Sequence, residues 1–250
     1  MFDGHRVAVV IPALNVAARI GRVLATLPTW IDRVIVVDDG SQDDTRAVAT
    51  QSAREGLEVL AHPVNRGVGA AIVTGYKRAI EHSADVVVVM AGDGQMDPAD
   101  LPALVAPVTD ATADYAKGNR LRHASVVRVM PPVRLAGNIA LSALTRGATG
   151  LWHIGDSQCG YTAIRREALE AIDLDALWPR YGYPNDLLSA LALRGLRVVD
   201  VVVRPVYEGA PSGIRWRDAL VTIPRILARA TQRRATHRSP HSDTHERPSK

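Results

Sequence analysis

VVVVMAGDGQMDP, residues Val86–Pro98, joins a continuous apolar run to a polar, glycine-containing loop. A run without polar alternation belongs to a strand covered on both faces, as in a parallel sheet flanked by helices. The run then breaks into small residues, two aspartates and a glutamine. The stretch predicts a buried strand that delivers oxygen ligands to its C-terminal end.

Three earlier stretches repeat the first half of this pattern. RVAVVIPA (6–13), RVIVVDDG (33–40) and LEVLAH (57–62) read as strands, with helices over 16–26, about 43–54 and about 68–82. Strand–helix alternation predicts parallel order with right-handed crossovers. Ligands of such sheets bind beyond the carboxyl ends of the strands. Here those ends are Pro12–Asn15, Asp38–Ser41, His62–Gly69 and Ala91–Asp97, all polar or glycine-rich. Beyond Pro98, DYAKGNRL reads as strand and loop, 134–146 as a helix, CGYTAIRREALEAI as a strand turning into a helix, YPNDLLSALALRG as a helix and LRVVDVVVRPVY as a late strand. The expected fold is α/β: a Rossmann-like, mostly parallel sheet with helices on both faces. Residues 1–232 are expected to form one catalytic domain that includes a C-terminal amphipathic helix. Residues 233–250 are polar, carry no core-forming pattern and are expected to be a disordered basic tail.

Composition bounds the partners. The 250 residues suffice for one α/β domain, and a single cysteine, Cys159, suits a reducing compartment. The N-terminal apolar run is interrupted by Pro12, unlike a signal peptide, and no run reaches the roughly 18 apolar residues of a membrane span. A cytoplasmic protein is expected, peripheral at the inner face of the plasma membrane. From Arg204 through Arg238 eight arginines face only Glu208 and Asp218. Leu220, Ile223, Leu227 and Ala230 fall on one helical side, with Arg225, Arg229 and Arg233 on another. That pattern fits a basic helix on an anionic membrane surface, or a surface helix packed on the domain. Aromatic-interleaved basic surfaces of single-stranded nucleic-acid binders are not evident, so no nucleic acid is expected.

The chemistry-bearing residues lie at the strand ends. A carboxylate of the Asp38-Asp39 pair can accept hydrogen bonds from a nucleotide base or ribose, or serve a turn. Gly67 and Gly69, just ahead of a helix, suit phosphate, with Arg66 adding charge. Neither a Walker lysine motif nor a G-x-G-x-x-G fingerprint is present, which disfavours an ordinary NTPase or dehydrogenase. Asp93 and Gln95 offer the hard oxygen donors that Mg²⁺ takes, whereas Asp97 before Pro98 suits a helix cap.

In this order and spacing, PALN, DDGS, NRGVGAA and GDGQMDP resemble the inverting family 2 glycosyltransferases of GT-A fold, in the dolichyl-phosphate mannose synthase-like branch. The resemblance runs from about Val7 to Arg217 and includes RLAGNIALSALTRGATGLWHIGDSQCGYTAIRREAL. It implies a nucleotide-diphosphate sugar donor held by Pro12, Ala13, Leu14, Asn15 and Asp39. It implies a divalent ion, Mg²⁺ or Mn²⁺, in a D-x-D-x-Q loop, which here reads Ala91-Gly92-Asp93-Gly94-Gln95. The loop is modified: the first carboxylate is absent, and Asp93, which also faces the nucleotide, remains with Gln95. Arg120 in KGNR and Arg215 in SGIR are candidates to stabilise the departing diphosphate. Asp186 in YGYPND falls where many inverting members place a general base, and Asp156 is a candidate on the acceptor side. The expected reaction is metal-dependent inverting transfer to a polyprenyl phosphate or membrane glycolipid. A soluble hydroxyl acceptor and a non-catalytic sugar-nucleotide-binding module, the latter motivated by Ala91, are the alternatives.

Overall fold

The computed structural model describes residues 1–207, 224–226 and 228–232. Its first half alternates as expected: β1 (Val7–Ala13), α1 (Ala17–Thr26), β2 (Arg33–Asp38), α2 (Thr45–Thr50), β3 (Leu57–Ala61), α3 (Val68–Glu81) and β4 (Val86–Val89). A 3₁₀ turn (Pro98–Asp100), α4 (Leu101–Thr109), β5 (Tyr115–Asn119), α5 (Val126–Val129), α6 (Pro132–Thr149), β6 (Thr162–Arg165), α7 (Arg166–Glu170), α8 (Tyr183–Leu193) and β7 (Val198–Val202) follow. Residues 224–226 and 228–232 are helical.

The seven strands form one sheet in the order β3-β2-β1-β4-β6-β5-β7. Successive strand residues face opposite sides. Val7, Val9, Ile11, Val86 and Val88 enter one core with Ile20 and Leu24 of α1 and Leu101 and Leu104 of α4. Ala8, Val10, Val87 and Val89 enter the other with Ile72 and Tyr76 of α3 and Leu187 and Leu191 of α8. Both strand faces are thus apolar, which is why the valine runs show no alternation. Close contact between α3 and β1 requires Gly75, where a Cβ would lie 2.1 Å from Val10 Cγ1.

Local chemistry sets several ends. Leu27, before Pro28, is extended and stops α1. Pro132 opens α6, and Gly150, left-handed at φ 79°, closes it. The helix expected over 43–54 is shorter, because Gln51 already closes α2 through its amide.

The sheet departs from simple parallel order at one strand. β6 runs antiparallel to β4 and β5, whereas β7 returns parallel to β5. The beginning of β6 therefore stands at the edge where the other six strands end. This puts Asp156–Tyr161 at the same sheet edge as the loops of Asn15, Asp39 and Asp93, with Cys159 and Tyr161 beside Asp93.

Candidate active site

The loops after β1 and β2 are locked to one another. Asn15 adopts φ 52°, a conformation asparagine tolerates better than most residues. Its Oδ1 accepts from Gln42 N at 2.9 Å, and its own N–H donates to Ser41 Oγ at 2.9 Å. The adjacent carboxylates have different tasks. Asp38 Oδ1 accepts from Ser41 N at 3.1 Å and shapes the turn. Asp39 is buried. Its Oδ1 accepts from Arg66 N at 2.9 Å and from the His62 ring at 2.7 Å, and its Oδ2 from Gly67 N at 2.7 Å. The other ring nitrogen of His62, Nε2, lies 3.0 Å from Thr74 Oγ1.

Pro12, Ala13, Leu14, Asp39, Gly67 and Val68 border one cavity of about 100 Å³. Asp39 offers carboxylate oxygen there between apolar walls, an arrangement suited to a planar base or a ribose. The expected phosphate role of the glycine loop needs correction. Arg66 N and Gly67 N are already given to Asp39, and Ala70 N to Pro179 O at 2.9 Å. The glycine at 67 is demanded by φ 104° and by the neighbouring turn, since a Cβ would approach Pro179 O to 2.5 Å. The amides of Arg66, Gly67 and Ala70 are therefore not open to an anion, and the Arg66 side chain is exposed.

The second part of the site follows β4. The strand ends at Val89, so strand alternation does not align Asp93 with Gln95. An Asx turn does so instead, with Asp93 Oδ1 accepting from Gln95 N at 3.0 Å. Both border a cavity of about 60 Å³ with Ala91, Arg120, Tyr161, Arg204 and Tyr207. Asp97 is committed elsewhere: it caps Ala99 N at 2.9 Å and pairs with Arg204 Nη1 at 3.0 Å. Among the described residues no three His, Cys, Asp or Glu side chains converge as a metal cage. One carboxylate and one amide oxygen still fit a hard cation that arrives with a diphosphate and keeps waters.

Arg120 and Asp156, expected on opposite sides of the chemistry, are partners. Arg120 Nε and Nη2 donate to Asp156 Oδ2 and Oδ1 at 2.8 and 3.2 Å, and Asp156 is fully buried. Asp156 therefore does not face an acceptor; it anchors Arg120 at the cavity wall. Arg120 Nη1 also reaches Tyr207 Oη at 3.4 Å, and the Arg134 guanidinium lies 4.6 Å from the Tyr207 ring centre. Arg120 and Arg204 thus line the Asp93–Gln95 cavity, and Arg134 lies over Tyr207, another of its lining residues. Buried Lys117 donates to Cys159 O and helps hold the turn before β6; burial pushes its ammonium pKa down and the Cys159 thiol up.

Asp186 also needs correction. It is fully buried in the first turn of α8, where Oδ2 accepts from Trp178 N at 2.9 Å and Oδ1 lies 3.6 Å from Arg229 Nε. A base must reach the proton it removes, and this carboxylate instead pins the 178–180 turn against the glycine loop. The described part of the C-terminal helix packs inward: Ile226 and Ala230 are buried, and Arg229 bonds the Ala176 carbonyl. Arg229 therefore does not belong to a free basic face. Arg215, Leu220, Ile223, Leu227, Arg233 and the tail at 233–250 lie outside the described residues. Sequence reading missed Arg134, Tyr161 and Tyr207 as site neighbours, and treated Arg204 only as part of a charge run. The signal was the RPVY that follows a strand ending at the same sheet edge.

A cavity of about 740 Å³ lies at the opposite edge around Arg6, Arg33, Arg54, Gly56 and His82. Several of its polar groups are satisfied internally: Arg54 by the Leu27 and Pro28 carbonyls and His82 by Glu58. We place the site at the strand ends because acidic, basic and apolar groups converge there.

The same sheet edge thus carries an acidic cavity with apolar walls and the Asp93–Gln95 cavity with Arg120 and Arg204. The Glycosyl transferase family 2 model matches residues 8–173. The undecaprenyl-phosphate mannosyltransferase of Micrococcus luteus is 33% identical over 231 residues, covering 88% of this chain and 93% of its own. The polyprenol monophosphomannose synthase of Mycolicibacterium smegmatis is 33% identical, with 88% and 86% covered. Glucosyl-3-phosphoglycerate synthase from Mycobacterium tuberculosis, solved with Mn²⁺, uridine diphosphate and glucosyl-3-phosphoglycerate, superposes with a TM-score of 0.64 at 25% identity, over 92% of this chain and 80% of that one. The chain belongs to glycosyl transferase family 2, and it is a glycosyltransferase.

Proposed function

We propose that this protein transfers a sugar from a nucleotide-diphosphate sugar to a polyprenyl phosphate at a membrane surface, inverting the anomeric centre in one displacement. The observation that carries the reading is the lining of the Asp93–Gln95 cavity by Arg120 and Arg204, with Arg134 over the neighbouring Tyr207 ring, while Asp186 is consumed in the fold. A sugar hydroxyl needs a base as it attacks, but a phosphate acceptor is already anionic. A site rich in arginine and without an accessible Asp186 suits the second acceptor. The names of the two sequence relatives support the same class of acceptor.

Pro12, Ala13, Leu14 and Asp39 would hold the base and ribose. Asp93 and Gln95 would hold Mg²⁺ or Mn²⁺ with the donor diphosphate. When bound, the ion would neutralise charge developing on the leaving group. Arg120, fixed by Asp156, would present a preorganised positive charge to that same diphosphate. Arg134 and Arg204 would orient the acceptor phosphate.

The test is a panel of sugar nucleotides with polyprenyl phosphate in detergent, with and without Mg²⁺ or Mn²⁺. The expected product is a glycosyl phospholipid with inverted anomeric configuration. A second reading, a soluble phosphorylated acceptor, draws on the solved relative's phosphoglycerate-derived ligand. Turnover with phosphoglycerate and none with polyprenyl phosphate would select it.

A further inference from the structure

Arg120 and Asp156 each follow a residue that is itself held. Arg120 comes directly after Asn119, the last residue of β5, and Asp156 directly after Gly155. Asn119 and Gly155 meet on one atom: Asp200 Oδ2, from β7, accepts from Asn119 Nδ2 and from Gly155 N, each at 2.6 Å. Strand register makes this possible. Asp200 pairs with Lys117 across the parallel β5–β7 ladder, so its side chain shares a face with those of Lys117 and Asn119. The approach also needs a glycine at 155, because a Cβ there would collide with Asn119 Nδ2. Asn119 Oδ1 accepts from Arg122 N at 3.2 Å and so fixes the chain on the far side of Arg120. On the Gly155 side, His153 Nε2 lies 2.7 Å from Val198 O, a second tie to β7.

The backbone ladder already joins β5 to β7 from Tyr115–Val198 to Asn119–Val202. The Asp200 side chain adds no bond to that ladder; it ties together the two residues that precede the ion pair. Arg120 donates to Asp156 from N, Nε and Nη2, and a forked arginine–carboxylate pair is geometrically demanding. We propose that Asp200 is a positioning residue of the transfer reaction: one carboxylate oxygen holds the residues before Arg120 and before Asp156 together, and so aims the Arg120 guanidinium into the Asp93–Gln95 cavity. Asp200 does not border that cavity, so it acts through Arg120. Its role rests on the reading that Arg120 meets the donor diphosphate. Among the described residues Asp200 Oδ1 is buried without a hydrogen-bond partner, so both bonds fall on one oxygen, and the carbonyl of an asparagine can accept the two of them.

The test is calorimetry on the full chain with Mn²⁺ and uridine or guanosine diphosphate, whichever the wild type binds more tightly. Asp200→Ala should weaken that affinity at least about tenfold and lower kcat/KM at least as far, a loss of the size that misplacing a group in an active site causes. In an Arg120→Gln background the same substitution should change affinity less than about twofold, because residues that act as a unit are not additive. Asp200→Asn should recover affinity to within about threefold of wild type, since it keeps both hydrogen bonds and drops only the charge. Asn119→Ala cuts the Arg120 side alone; it should show the same loss and the same dependence on Arg120, and it answers the question where Asp200→Ala does not fold. Undiminished affinity in the folded variants would overturn the proposal. So would equal losses with and without Arg120, or an Asp200→Asn protein as weak as Asp200→Ala. An Arg120→Gln protein that binds the diphosphate like wild type would instead sink the diphosphate role of Arg120, and with it the role of Asp200.

Discussion

Asp39 carries two tasks through one carboxylate. It closes the loop after β3 by accepting from Arg66 N, Gly67 N and His62, and it borders the donor cavity. Asp39→Ala leaves three donors without their acceptor, so unfolding stability should fall by about 1–3 kcal/mol. Nucleoside-diphosphate affinity, read by calorimetry, should fall at least about tenfold, equivalent to about 1.4 kcal/mol. Unchanged affinity would restrict Asp39 to holding the loop. Ala91 answers to the same kind of test. It borders the cavity of Asp93 and Gln95, so Ala91→Asp should tighten Mn²⁺ binding in the presence of nucleoside diphosphate, measured by titration. Equal affinity in both proteins would show that position 91 does not reach the ion.

At the scale of elements, the added half of the sheet is clamped at the edge opposite the site. Asp114, just before β5, accepts from Arg197 N and Nη2 at 2.8 and 3.0 Å and from Arg165 Nη2 at 2.7 Å, tying β5 to the start of β7 and the end of β6. The Arg197 hydrogen bond holds its carboxyl below the usual carboxylate range. Its folded pKa is depressed, so its stabilisation is fully present above the unfolded value of about 3.9 and is lost as pH falls through the lower folded value. Asp114→Asn should therefore cost about 1–3 kcal/mol at neutral pH and flatten the loss of stability below about pH 4. Urea denaturation across that range checks it, and an unchanged acid limb would remove Asp114 from the account. The short valine strands were legible because both faces are buried. The reversal of β6 was not, since the four residues TAIR carry no signal of strand direction.

The whole molecule should respond to its ligands by mass action. A nucleotide-sugar donor binding only the folded state at a hundred times its dissociation constant stabilises by about 2.7 kcal/mol. Thermal unfolding with donor and Mg²⁺ should therefore shift upward, EDTA should reduce the shift, and Asp93→Ala should abolish its metal-dependent part. A shift insensitive to both EDTA and Asp93→Ala would remove the ion from donor binding. Among the described residues no helix is long and apolar enough to cross a membrane.

The sequence alone determined the α/β alternation, the edge at which ligands bind and the ordered loops of Pro12–Asn15, Asp39, Gly67 and Asp93, because local periodicity and strand ends are written in contiguous residues. Tertiary structure decided which charged groups remain available. Arg120 and Asp156 stand 36 residues apart yet share three hydrogen bonds, and Asp186 reads as a base until its burial against Trp178 is seen. The same holds for α6: its Val133, Ile139 and leucines suggest a core face, but Ser142 and Thr145 take the interior because Ser157 N and Asn185 offer them hydrogen-bond partners, and Asn138 meets Met130 Sδ. Periodicity reports that a helix has two faces; only the packing of distant segments decides which one is turned inward.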